Sequence, residues 1–417
     1  MRAHRRRRLS EGAESRSGRT VHPSVFFVLY FAFGASGGYL GGAVAYFYGQ
    51  AGVSTQAFGL IVSIALFPQV LKALWAPLVD TTLSPKSWYL LATAAIAPSL
   101  AVAGALPVGR TSIPALTAVA SVISVAASFL GMAADRLMAH DTAPDQRGAA
   151  GGWSQAGNLG GAGMGGGTGL WIAHATHSLP LSGYAVAAMC ATCALGLRLA
   201  PSTRPSPDRP NYLSTLALVV SDCWQVCRTR AGWRTLFLLA LPLGAGGAAQ
   251  LFSLIAKEWR VSAEQLAGAN WLMGLVTAAA AICGGYLCDR MDRRTAYALF
   301  GVICGATAAV AAVTPREPVW FMVFAFSYSA ALGLCYAAFS AATLEAIGAG
   351  AAATKYTLFA SVSNVPVFVM PMLDGWADTR WGAAGLCWTE FGVAIAGATL
   401  YGAVAIATRP RTALAAA

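Results

Sequence analysis

An all-α polytopic membrane protein, with twelve transmembrane helices in two pseudo-symmetric six-helix bundles, is what three observations in this sequence predict. First, 57% of the 417 residues are hydrophobic and only 11% are charged, where a soluble domain carries about 25% charged residues; mean hydropathy is +0.58. Second, apolar runs long enough for the hydrocarbon layer, which takes about 20 residues, recur twelve times. Third, landmarks of the first half return in the second at a constant offset. Composition alone excludes a soluble enzyme, and nucleic acid is no expected partner.

The runs of the first half cover 24–48, 57–79, 87–108, 112–134, 149–173 and 179–200; those of the second cover 234–256, 265–288, 295–314, 318–344, 356–377 and 384–407. The runs are continuous rather than alternating at period two, which disfavours a transmembrane β-barrel. The expected division is a basic tail at 1–22, a six-helix bundle at 23–200, a linker at 201–233, a second bundle at 234–408 and a tail at 409–417. Arg5–Arg8 lead into small polar residues rather than an apolar stretch, so a cleavable signal peptide is not expected. Within the linker, an amphipathic surface helix with Trp224 and Trp233 at the interface is a further expectation.

Basic residues orient the bundle. With both termini on the cytoplasmic side of a bacterial inner membrane, 22 of the 28 Lys and Arg fall in inside segments and five, Arg110, Lys257, Arg260, Arg316 and Arg380, fall outside. That satisfies the positive-inside rule for an even number of spans. The formal charge of +11 is thereby assigned to topology and to contact with membrane lipid.

The repeat has an offset of 209 residues. Gly37-Gly38 returns as Gly246-Gly247, Gly59 as Gly268, Asp80 as Asp289, and Ser154-Gln155 as Ser363-Asn364; Val53-Ser54 returns as Val261-Ser262, one residue out. Two like halves about a midplane site are the architecture of a transporter working by alternating access.

Gly285-x-Leu287-x-Asp289-Arg290-x-Asp292-Arg293-Arg294, between spans eight and nine, resembles the loop signature of the major facilitator superfamily. Lys72 to Asp80 forms a degenerate first-half counterpart, and Arg147-Gly148 precedes a glycine-rich span five. Together these resemble the peptide–acetyl-CoA transporter branch, which includes muropeptide permeases and siderophore importers. The resemblance implies the major facilitator fold and proton-coupled import of a medium-sized polar metabolite. It further implies an acidic pair near the end of span four, for which Asp135 and Asp141 are the candidates. Proton-driven efflux of a drug or metabolite is the alternative on the same fold.

The candidate residues are polar groups in or beside the spans. Asp80, Gly285, Asp289, Arg290 and Arg293 form the conformational signature loops: Asp289 can receive a helix N-terminus, favoured by the helix dipole, and the arginines can pair with acids, or they set topology only. Lys72, roughly 10 Å inside span two, either serves an anionic group or snorkels to the interface; Trp75 shares its face. Asp135, Arg136 and Glu345 are coupling candidates, each equally readable as interfacial ion-pairing, while Glu390 is expected to face extracytoplasmic water. Gln155, Asn158, Gln250 and Asn364 either line a substrate cavity or hydrogen-bond between helices.

Other motifs are read as packing. Gly161 to Gly166 spells GxGxxG, but inside a membrane span it cannot be the dinucleotide fingerprint, which needs a strand before it. Gly157, Gly161, Gly165 and Gly169 instead make a small-residue stripe. Cys190 and Cys193 form a CxxC without partner ligands, so no metal or cofactor is expected. None of the five histidines lies deep in a span, and neither a catalytic triad nor a phosphate-binding loop is present. This weighs against a membrane-embedded acyltransferase, the alternative of a different class. The expected partners are a small-molecule substrate, protons and lipid, and the expected state is a monomer.

Overall fold

Helix starts coincide with side chains able to satisfy the free N–H groups of a first turn. Ser54, Ser84, Ser178 and Thr229 accept from the backbone N–H of Ala57, Ser87, Leu181 and Gly232. Ser262 and Gln265 cap each other reciprocally. These caps place the loops, and the loops place the spans. The computed structural model describes residues 21–142, 147–200, 212–347 and 352–408; the expected tails at 1–22 and 409–417 lie almost wholly outside them, as do the first residues of the linker.

In the first half the spans are Val25–Gln50, Thr55–Thr81, Pro85–Ala105, Ile113–Asp141, Arg147–Thr176 and Leu179–Arg198. Span one carries a π-helical turn at Leu40–Val44. A linker helix, Tyr212–Arg228, follows, with Trp224 exposed and stacked under Arg228; Trp233 already belongs to span seven. In the second half the helices are Arg230–Ala240 with Gly247–Ile255, Ala263–Cys288, Arg293–Val313, Pro318–Ile347 and Ala352–Ala407. The last turns sharply at Gly382 (φ 68°, ψ −174°) and so comprises spans eleven and twelve. Among the described residues nine helices are long and apolar enough to cross a membrane. The turn at Gly382, the glycine-rich span five and the divided span seven bring the elements into register with the twelve expected spans.

Span seven is not the continuous helix expected over 234–256. It breaks at 241–246, where Pro242 offers no N–H and pushes Leu241 to extended backbone (φ −81°, ψ 148°). Gly244 and Gly246 then take positive φ (62° and 74°), a region open to glycine without penalty. Span four also outruns its expected end at 134, reaching Asp141.

Span five is packed on two faces by its glycines. Gly157, Gly161, Gly165 and Gly169 meet Phe27, Phe31, Ala35 and Tyr39 of span one, so close that a methyl group would collide at each. Gly163 and Gly167 face the other half, against Gly274 and Trp271 of span eight. Span two and span eleven make the second contact between halves, with Gly59 against Pro371 and Gly375 against Thr55. These contacts lie toward the side away from the 82–84 and 289–292 turns. That side is called here the far face, and the side of those turns the linker face.

Candidate functional site

Three spans of the first half converge near the linker face. Tyr30 of span one donates a hydrogen bond to Asp135 of span four, and Lys72 of span two lies within electrostatic reach of the same carboxylate. Across the interface, Tyr356 of span eleven also senses Asp135 and bonds Ser340 of span ten (3.2 Å). Asp135 lies about two turns inside its helix, yet its side chain is exposed. The exposed acid is thus flanked by spans one and two and, across the interface between the halves, by span eleven. Its sequence neighbour Arg136 points elsewhere, donating to the Val79 carbonyl at the end of span two (2.6 Å).

Trp75 stacks against Phe129 (6.4 Å, 26°), which stacks in turn on Trp88 (4.8 Å, 8°). The buried Trp75 indole N–H has no hydrogen-bond partner among the described residues. Gln155 likewise has a buried, unpartnered amide oxygen. Its repeat counterpart Asn364 bonds its own helix at Ala360 (2.7 Å) and reaches the Gln69 carbonyl of span two (3.4 Å). Ser361, one turn earlier, accepts from the Ala73 N–H (3.1 Å). Span eleven therefore grips both ends of one turn of span two. Asn158 lies against Gly34 through its backbone carbonyl, and Gln250 faces Gly41 across the halves.

At the signature loop, Arg294 and Arg293 reach Glu345 at the end of span ten (2.9 and 3.7 Å). Arg294 also donates to Thr235 of span seven (2.9 Å). Glu345 is thus engaged as the acidic partner of the loop. Asp292, rather than Asp289, caps the next helix, accepting from the Thr295 N–H and hydroxyl (2.8 and 2.7 Å). Partial burial pushes the Asp292 carboxyl up, but the Thr295 bonds and the Arg294 charge outweigh it and hold the group below the ordinary carboxylate range. Asp289 and Arg290 are exposed at the helix end, and Gly285, one turn before, is partly buried. The side chain of Asp80 lies outside the described residues.

Two acids do not behave as the sequence leads one to expect. Glu390, expected to face water, is 5% exposed, and Asp374, which sequence reasoning passed over, is fully buried. Both lie about eight residues from Gly382, in spans eleven and twelve. Tyr30 was also missed: an aromatic hydroxyl in an apolar run gives no signal until span four is folded against it.

Residues 26–371 match the Major Facilitator Superfamily. The chain is 24% identical over 318 residues to an anhydromuropeptide permease of Escherichia coli K12, covering 74% of this chain and 64% of the permease. It therefore spans less than two thirds of that relative's length. Among solved structures, the nucleoside transporter NupG superposes with a TM-score of 0.66 at 14% identity, covering 91% of this chain and 98% of that one. A POT family transporter in complex with a thioalcohol-conjugated peptide gives 0.69 at 10% identity, covering 93% and 96%. At these identities the likeness to solved structures is one of fold. With the family match running through both halves of a twelve-span helical bundle, the chain belongs to the Major Facilitator Superfamily.

Proposed function

We propose that this transporter imports a muropeptide-like sugar-peptide across the bacterial inner membrane, coupled to protons, with both termini in the cytoplasm. The observation that carries the reading is the Tyr30–Asp135 pair with Lys72 beside it where the halves meet near the linker face. Lys72 suits a substrate carboxylate, and the Trp75–Phe129–Trp88 stack is an aromatic surface of the kind that takes a sugar face. Gln155, Asn158, Gln250 and Asn364 supply amides for peptide and hydroxyl groups. The relation to anhydromuropeptide permease points to the same substrate class.

Asp135 is the coupling group in this reading. A carboxyl that alternates between an open vestibule and a closed, low-dielectric one binds a proton when occluded and releases it when hydrated. Tyr30 fixes its position, Lys72 favours its charged form, and Arg136 ties the end of span two to span four. The pairing of Arg293 and Arg294 with Glu345 holds the second half at the linker face and is reset as the halves rock.

The test is uptake of labelled anhydromuropeptide into proteoliposomes bearing the full chain, with and without an imposed proton gradient. Gradient-dependent accumulation supports the reading. Accumulation indifferent to the gradient rejects proton coupling. Extrusion, or transport of siderophores or drugs in its place, rejects import of muropeptides.

A further inference from the structure

Near the far face, well separated from Asp135, the second half buries two carboxyl groups against the break in span seven. Glu390 of span twelve accepts two hydrogen bonds on one oxygen, Oε1: from the Ala248 N–H (2.8 Å) and from the Tyr328 hydroxyl of span ten (2.9 Å). Ala248 stands at the N-terminus of Gly247–Ile255, where the helix dipole favours negative charge. Asp374 of span eleven is fully buried, and neither of its oxygens has a donor among the described residues. Both carboxyls crowd the bare α-carbon of Gly247, where a methyl group would strike Asp374 Oδ2.

This asymmetry fixes which acid is charged. Two ionised carboxylates cannot sit side by side in a buried site, and a buried charge without hydrogen bonds costs several kcal/mol. Glu390 has a helix N-terminus and a phenol to stabilise its charge; Asp374 has nothing. Neutral Asp374 can instead donate its own proton to Glu390. The ionisable groups around the pair are Cys304 from span nine, Tyr328 from span ten, Asp378 a turn further along span eleven, and Cys387 from span twelve. Arg316 acts on Cys387 and Lys257 on Asp378, and neither forms an ion pair with the two carboxyls among the described residues. From span two, Thr55, Gln56 and Gly59 face this region, and none carries a charge. Neither carboxyl forms an ion pair among the described residues.

We propose that Asp374 and Glu390 form a proton-binding dyad in the second half, with the exchangeable proton on Asp374. Its gate is the far-face contact of span two. Gly375, next to Asp374, is covered by Thr55, and the Gln56 N–H bonds Thr379 one turn on (3.2 Å). Separation of spans two and eleven removes that cover and lets water reach Asp374, so the dyad exchanges protons with the far side and is sealed in the arrangement described. The dyad supplies the far-side station that proton-coupled transport requires, and in that respect it rests on the proposed function.

Infrared difference spectra of the full chain in liposomes, recorded across a pH titration, test the dyad without a substrate. A carbonyl stretch of a buried protonated carboxylic acid is expected in the wild type, absent in Asp374→Asn and shifted in position in both Glu390→Gln and Tyr328→Phe, which alter its acceptor. The asparagine amide can still donate to Glu390, so Asp374→Asn mimics the loaded state. In the uptake assay it is expected to lose gradient-driven accumulation while keeping substrate exchange. A band unchanged in Asp374→Asn, or unmoved by both neighbouring substitutions, overturns the dyad. A wild type that shows the band but no gradient-driven uptake upholds the dyad and rejects the proposed function.

Discussion

Asp135 illustrates how one side chain is set by its neighbours. It is exposed yet tied to Tyr30, with Lys72 at hand, so it is held in place without being sealed from water. Asp135→Asn keeps the shape and removes the titrating group; gradient-driven accumulation is expected to vanish while exchange of substrate survives in part. Full accumulation by this variant would remove Asp135 from coupling. Tyr30→Phe deletes a bond to a charged acceptor, the kind worth about 1.5–3 kcal/mol. With that stabilisation of the carboxylate gone, the pH midpoint of transport is expected to rise. A midpoint identical to wild type would make Tyr30 a packing residue only. Sequence disclosed Lys72 and Asp135 because a charge in an apolar run stands out. Asp374 stood out as little as Tyr30 because it falls beside the expected end of span eleven, where Asp378 and Arg380 already mark the boundary.

At the scale of elements, the sequence was clearest where length and hydropathy suffice. Span limits depend on runs of about 20 apolar residues, and most of the expected limits lie within a few residues of the observed ones. The break in span seven escaped because Leu241 to Gly246 are as apolar as a helix; only Pro242, Gly244 and Gly246 betray it, through backbone rather than hydropathy. The signature loop is an element whose ends can be tested. Asp292→Ala removes a helix N-cap, at a cost of about 1 kcal/mol, and thermal denaturation in detergent should fall accordingly. Because the Asp292 carboxyl is held below its ordinary range, its contribution is complete above the unfolded value and is lost as pH falls through the lower folded one. The difference between wild type and Asp292→Ala should therefore shrink on acidification, and a constant difference would count against the cap. Glu345→Gln leaves the Arg293 and Arg294 pairs without their acid, and for a half-exposed pair the loss is about 1 kcal/mol or less. The ends of spans nine and ten should then separate more often, read as faster thiol labelling of a cysteine placed at Ser340; unchanged labelling would reduce the loop to a topology marker.

The whole molecule is two like halves joined where small residues let backbones meet. Span five carries both kinds of contact on opposite faces: Gly161 meets span one within its own half, and Gly163 meets Gly274 of span eight in the other. The two positions look alike in sequence, two residues apart in the same glycine run, but differ in what a larger side chain should do. Overpacking a close contact costs about 1–3 kcal/mol. At Gly161 that penalty falls on the fold of the half itself, so Gly161→Val should lower thermal stability and yield. At Gly163 it falls only on the arrangement in which the far-face contacts are closed, because separation of the halves relieves it. Gly163→Val should leave stability near wild type, shift the population toward the far-face-open form, and slow transport. Cysteines placed at Gln56 and Thr379, whose backbone and side chain now bond at 3.2 Å, report that shift: cross-linking should be efficient in the wild type and in Gly161→Val protein that folds, and weak in Gly163→Val. Equal cross-linking in all three would mean that span five is a fixed pillar and that the halves rock about spans two and eleven alone.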